Sequence, residues 1–125
     1  HVAVIEALEQ FAKPVLDANA MQGAKTAASL MAMNNIYYRF LHNIADEGVK
    51  NLPAKLRMQG LAQHGMAKVD FELMSLAVSA INGCGMCMEA HAHEVQKQGA
   101  TPLAVQSAVR IAAVVNAAAQ AVSLA

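Results

Sequence analysis

Cys84, Cys87 and His91 stand at i, i+3 and i+7 in the stretch Gly83-Cys84-Gly85-Met86-Cys87-Met88-Glu89-Ala90-His91. On a helix turning about 100° per residue, the three side chains fall within an arc of roughly 60°. Two thiols and an imidazole on one face form a reactive dithiol. Gly83 marks a helix break, so Cys84 belongs to the first turn, where unsatisfied amides and the positive end of the helix dipole favour thiolate over thiol. His91, one turn beyond Cys87, can accept that thiol's proton or pair with the anion. Side chains three or four apart on a regular helix have Cβ atoms about 5 to 6 Å apart, whereas a disulfide wants about 3.5 to 4.5 Å. Closing a Cys84–Cys87 bond therefore requires the first turn to tighten, and Gly83 and Gly85 give the backbone room. A bond closed under some strain is readily reduced again. A disulfide that opens and closes is the implied use.

Upstream, Glu72, Ser75, Ser79 and Asn82 recur at i, i+3, i+7 and i+10 through an otherwise apolar run. This narrow polar seam offers a path for water and a proton between Glu72 and the His91–thiol group. Taken alone, Glu72 reads as a first-turn glutamate favoured by the helix dipole before it reads as a proton relay. The cysteines also have plainer readings, as inert buried residues or, with His91 and a fourth ligand, as a structural zinc site. His93 points about 200° away from His91, to the surface or into packing. His42 and His64 have no partner visible in sequence. Eight methionines scattered through Ala-rich and Leu-rich segments read as core filler. Asn34 and Asn35 are unusual inside a helix, and either satisfy neighbouring groups or line the site.

The elements that must position these residues are helical. Three prolines, seven glycines and 4% aromatic residues leave few turn signals and almost no alternating β-branched runs. The pattern predicts a helix over about Val2–Ala12, broken near Pro14, and a long one over roughly Asn19–Asn43 that exits at Asp46-Glu47-Gly48. A short helix is expected over Leu52–Gln63 with Pro53 in its first turn, then one capped by Asp70 and ended at Asn82-Gly83. Cys84–Gln98 follows, stopped by Gly99, and Thr101-Pro102 opens the last helix.

Fifty-six per cent hydrophobic and 14% charged residues among 125 predict one domain, 1–125, with a compact, well-buried core. Nine basic and nine acidic residues give zero formal net charge, so no positive field exists for nucleic acid or an anionic membrane. The uncharged runs Leu73–Met88 and Ile111–Ala125 fall short of a bilayer span and read as buried core helices. Two cysteines and no visible secretion signal suit a reducing, cytoplasmic setting. The chain opens with His1 and not Met, which points to a missing upstream segment.

Met33-Asn34-Asn35-Ile36-Tyr37-Tyr38-Arg39, Phe71-Glu72-Leu73 with Ser75, and Ala77-Val78-Ser79-Ala80-Ile81-Asn82-Gly83-Cys84 with Cys87 and His91 resemble the alkylhydroperoxidase D family. That family lies within the wider carboxymuconolactone decarboxylase-like superfamily. The resemblance runs from about Met21 to the C-terminus. It is specific, because a glutamate twelve residues before a CxxC and a histidine four after it fall together with long matching stretches. It implies an all-α bundle of about six helices, with the CxxC at the start of a helix, assembled as a homo-oligomer, a trimer in that family.

The implied activity is that of a lipoyl-dependent antioxidant thiol peroxidase and disulfide reductase. An alkyl hydroperoxide, or the partner peroxiredoxin alkyl hydroperoxide reductase C, oxidises the dithiol to a disulfide. Dihydrolipoamide on a lipoyl-bearing 2-oxoacid dehydrogenase component restores it as external reductant, with no cofactor or metal bound to the chain. By position, Cys87 matches the thiol that meets peroxide, Cys84 its resolving partner, and Glu72 and His91 the proton-relay pair. Met86 stands where some relatives carry a histidine, and N-terminal helices of longer relatives are missing. Two other functions remain open, a general protein disulfide reductase and a non-enzymatic helical module with zinc at Cys84, Cys87 and His91.

Overall fold

In the computed structural model, which describes residues 1–125, the chain is all-α. Helices α1 (Val2–Ala12), α2 (Ala18–Asn43), α3 (Glu47–Lys50), α4 (Lys68–Asn82), α5 (Gly85–Lys97) and α6 (Pro102–Leu124) are joined by short links and one 3-10 turn, Gln59–Leu61. Short polar side chains fix several starts by satisfying amides that lack a helical partner. Asp17 Oδ1 accepts from Ala20 N at 2.7 Å, and Thr101 Oγ1 accepts from Ala104 N at 3.2 Å with Pro102 in the first turn.

Three expected boundaries differ. Asp46 does not terminate α2; its carboxylate caps Val49 N and starts α3. Asp70 lies inside the first turn of α4, whose N-cap is Ala67, so it complements the dipole there without capping. Leu52–Gln63 is irregular apart from the 3-10 turn. Pro53 disfavours helical backbone at Leu52, and Lys55 adopts a left-handed φ of 51°. Gly60 then lets this segment approach α2, for a Cβ there would come within 2.7 Å of Leu30 Cδ1.

Helix α4 is the hub, packed against α2, α5 and α6. Its Phe71 and Leu76 are buried, as are Ala27 and Met31 of α2, Val95 of α5 and Ala112 of α6. The expected well-buried core is small in this single chain, with 13 of 125 residues buried. The last helix explains much of the difference. Only Ala112 of α6 is buried, while Leu103, Ile111, Val114 and Leu124 are each at least 65% exposed. Helix α1 likewise turns Val2, Phe11 and other apolar residues outward. The sequence reading of Ile111–Ala125 as a buried helix is thus corrected, because its apolar residues surround the helix and α4 covers one side. Its reading as too short for a membrane span is corrected as well. The helix extends back to Pro102 with Arg110 as its only charge, and by length and composition alone it would suffice to cross a membrane.

Gly83 ends α4 at φ +70°, a left-handed conformation that costs a residue with a Cβ about 1 to 2 kcal/mol. Nothing lies within 4 Å of a Cβ built there or at Gly85. Gly83→Ala should therefore lower stability by about 1 kcal/mol in urea unfolding, whereas Gly85→Ala, inside helical backbone, should leave it unchanged or raise it.

Candidate active site

The joint between α4 and α5 is two residues long. Gly83 N donates to Ala80 O and Cys84 N to Ser79 O, which closes α4 in a Schellman arrangement. Arg39 on α2 reaches the same end, donating to Asn82 O at 2.7 Å. Cys84 then serves as the N-cap of α5 in extended backbone (φ −90°, ψ 95°), and its Sγ accepts from Cys87 N at 3.3 Å. Cys84 and Cys87 form a disulfide across a Cα separation of 5.2 Å. The approach predicted through a tightened first turn is achieved differently. Cys84 lies outside the helix, so its side chain can swing toward Cys87 while α5 remains regular.

His91 lies farther along α5. Its Nδ1 is 2.5 Å from Glu72 Oε2 on α4, and both side chains are largely buried. Its Nε2 is 3.2 Å from Met31 Sδ on α2. Each ring nitrogen therefore faces an acceptor, and the imidazole is held between two helices. One turn away, Lys68 Nζ meets Glu94 Oε1 at 2.7 Å across the same α4–α5 interface. The hydrogen bond from Lys68, joined by one from Gln98, holds the Glu94 carboxyl below its usual range, and the bond to Glu94 holds the Lys68 ammonium above its own.

The polar seam predicted along α4 does not run continuously. Asn35 Nδ2 donates to Ser79 Oγ at 2.9 Å, and Asn82 Nδ2 donates to Asn35 Oδ1 at 3.0 Å. Asn35 thus consumes the seam's C-terminal half, while Glu72 touches His91 directly. Ser75 is fully buried and its hydroxyl has no partner.

A cavity of about 370 Å³ opens over Cys87 and His91, lined otherwise by Met31, Asn34, Tyr38, Met58, Leu61, Met86 and Ala90. Cys84, fully buried, does not line it. All four residues singled out in the sequence therefore belong to one site on the α4–α5 hairpin. On α2 the two roles read for the asparagines are both found, Asn35 satisfying neighbouring groups and Asn34 lining the cavity, whereas the part of Met31 escaped that reading. Met31, Asn34, Asn35 and Tyr38 recur at i, i+3, i+4 and i+7, so they share a face, and this periodicity was the available signal. His93 and His42 are exposed, whereas His64 stacks on Phe71 at 4.1 Å between ring centres, a contact no local spacing foretells.

Residues 47–125 match the model of the carboxymuconolactone decarboxylase family. The chain belongs to the carboxymuconolactone decarboxylase family. Within that family it groups with the AhpD proteins. It is 53% identical over 117 residues to alkyl hydroperoxide reductase AhpD of Coxiella burnetii, covering 94% of this chain and 66% of that protein. The protein of the same name from Hyphomonas neptunium is 50% identical over 116 residues, covering 93% of this chain and 64% of its own length. That of Bradyrhizobium sp. is 49% identical over 122 residues, covering 98% and 67%. The chain thus spans about two thirds of the length of the relatives it matches.

Two measurements test the supporting framework. Asn35→Ala should cost about 2 kcal/mol in chemical denaturation, since it strips partners from Ser79 and Asn82 in a buried setting. The Lys68–Glu94 pair contributes at neutral pH, and Glu94's share fades as pH falls from the ordinary carboxyl range through its lowered value. Glu94→Gln should accordingly weaken the acid dependence of thermal stability below about pH 5, with a small effect because its partner Lys68 is exposed.

Proposed function

We propose that this chain is an antioxidant enzyme that reduces hydroperoxides with the Cys84–Cys87 dithiol. The observation that carries this reading is a disulfide at the start of α5 whose Cys87 opens into an apolar cavity beside the Glu72–His91 pair. The names of its relatives support the same activity. Cys87 is the attacking sulfur. Its thiolate attacks the distal oxygen of R–O–O–H, an S–O bond forms as the O–O bond breaks, and the electron pair leaves on the alkoxide, which is protonated to the alcohol. The thiol of Cys84 condenses with the resulting sulfenic acid, releasing water and forming the disulfide. Cys84 suits the resolving role because it is fully buried within the reach of a single disulfide. Glu72 holds His91 and supplies a carboxylate to exchange its proton, so that the imidazole serves the thiol and then the leaving oxygen.

Dihydrolipoamide, carried on a 2-oxoacid dehydrogenase component, is the proposed reductant of the disulfide. A peroxiredoxin of the alkyl hydroperoxide reductase C type is the proposed protein oxidant, and the setting is cytoplasmic. The exposed apolar faces of α1 and α6 support assembly into a homo-oligomer, a trimer in this reading. A structural zinc reading requires two thiolates and a free imidazole nitrogen. Here the sulfurs are bonded to each other instead of lying free as two thiolates. Decarboxylation, suggested by the family's description, gives the dithiol no evident part.

Alkylation and mass spectrometry provide the test. One equivalent of organic hydroperoxide should remove both free thiols of the reduced protein, and dihydrolipoamide should restore both. Thiols that survive peroxide yet are consumed by oxidised peroxiredoxin would make the chain a protein disulfide reductase. In Cys84→Ser, a sulfenic acid should accumulate on Cys87; trapping it on Cys84 of Cys87→Ser alone would reverse the roles. Glu72→Gln should slow Cys87 oxidation roughly 100-fold with little change in unfolding midpoint, and an unchanged rate would remove Glu72 from the chemistry.

A further inference from the structure

Asn34 and Asn35 are adjacent in sequence and opposite in circumstance. Asn35 is fully engaged with Ser79 and Asn82. Asn34 is 5% exposed, its Oδ1 is buried without a partner, and its side chain is part of the cavity wall that also includes Cys87 and His91. A buried carbonyl without a partner destabilises a fold, because it forfeits the hydrogen bonds it made to water. The rest of the cavity offers little to compensate, being mainly Met31, Met58, Leu61, Met86 and Ala90. An apolar chamber with a single unpaired amide beside a reactive sulfur is shaped for a molecule with one polar head and an apolar body.

Resting on the hydroperoxide reading of the site, we propose that Asn34 binds the peroxide head group and directs it onto Cys87. The R group lies among the methionines and Leu61. The carbonyl, closed off in the empty site, accepts the hydroperoxide O–H once the amide turns about its side-chain bonds, and the amide N–H donates to the proximal oxygen. That oxygen gains negative charge when the thiolate of Cys87 takes the distal oxygen and the O–O electron pair departs with the alkoxide. A donor already aimed at this atom stabilises the charge as it develops. The proton that completes the alcohol comes from the His91 side of the cavity. Asn34 therefore acts in the oxidative half-reaction and has no part in the return to the dithiol.

The experiment compares the wild-type chain with Asn34→Leu, which keeps the branched outline and removes the polarity, and with Asn34→Ala should the bulkier Leu not be accommodated. Reduced proteins are mixed with cumene hydroperoxide, and Cys87 oxidation is followed by rapid quench. A neutral aromatic disulfide, dithiodipyridine, reports thiol reactivity without a peroxide, and dihydrolipoamide reports reduction of the disulfide. The expected result is a roughly ten- to hundred-fold loss in the peroxide rate, with the other two rates within about twofold of wild type. Thermal unfolding of Asn34→Leu should rise by a few degrees, since a buried unpaired amide has been replaced by an apolar side chain.

Wild-type peroxide rates in both variants would overturn the role of Asn34 and leave the enzyme reading intact. Equal losses with dithiodipyridine would overturn it too, by showing general damage to Cys87. A loss confined to dihydrolipoamide would move the bound head group from a peroxide to a dithiol. A wild-type chain inert to hydroperoxide would bring down the functional reading itself, and this inference with it.

Discussion

The two-residue joint at Gly83 and Cys84 commits its backbone donors to the end of α4 and its sulfur to the start of α5. Few residues satisfy both demands. The left-handed turn requires glycine, and the following residue must be extended enough to cap a helix it does not enter. Once that joint is closed, the α4–α5 hairpin follows, and with it the meeting of Glu72 and His91 from its two arms. Arg39 secures the arrangement from α2 by engaging the last carbonyl of α4, that of Asn82. The site is therefore a consequence of how one helix stops and the next begins.

Helix α2 completes what the hairpin leaves open. Met31 lies against the second nitrogen of His91, Asn35 satisfies two polar groups of α4, and Asn34 and Tyr38 form part of the cavity wall. One helical face thus combines support and recognition, and the adjacent asparagines divide the work because successive residues point about 100° apart. A polar residue that packs well stabilises the bundle, whereas one left unpaired raises the energy of the empty site.

Much of this was legible in the sequence where local chemistry decides the outcome. Val2–Ala12, the stop at Gly83, the start at Thr101-Pro102 and the convergence of Cys84, Cys87 and His91 all follow from caps, dihedral limits and helical period. What escaped depends on tertiary contact. Leu52–Gln63 has the residues of a helix, yet it turns irregular where Pro53, Lys55 and the close approach of Gly60 to Leu30 prevail. The stack of His64 on Phe71 and the grip of Met31 on His91 join residues from different elements, and no single-segment pattern encodes them. Helix α6 failed for another reason, since an apolar helix surrounded by apolar residues does not announce which of its sides its own chain will cover.

The cysteines enclose only a few residues, at a sequence separation of three. A cross-link restrains an unfolded chain more the longer the loop it closes, so this one removes little conformational freedom from the denatured ensemble. The fold is correspondingly insensitive to whether the bond is made. The proposed redox cycle would thus use a covalent bond whose loss disturbs the folding equilibrium little, while the architecture rests on noncovalent contacts.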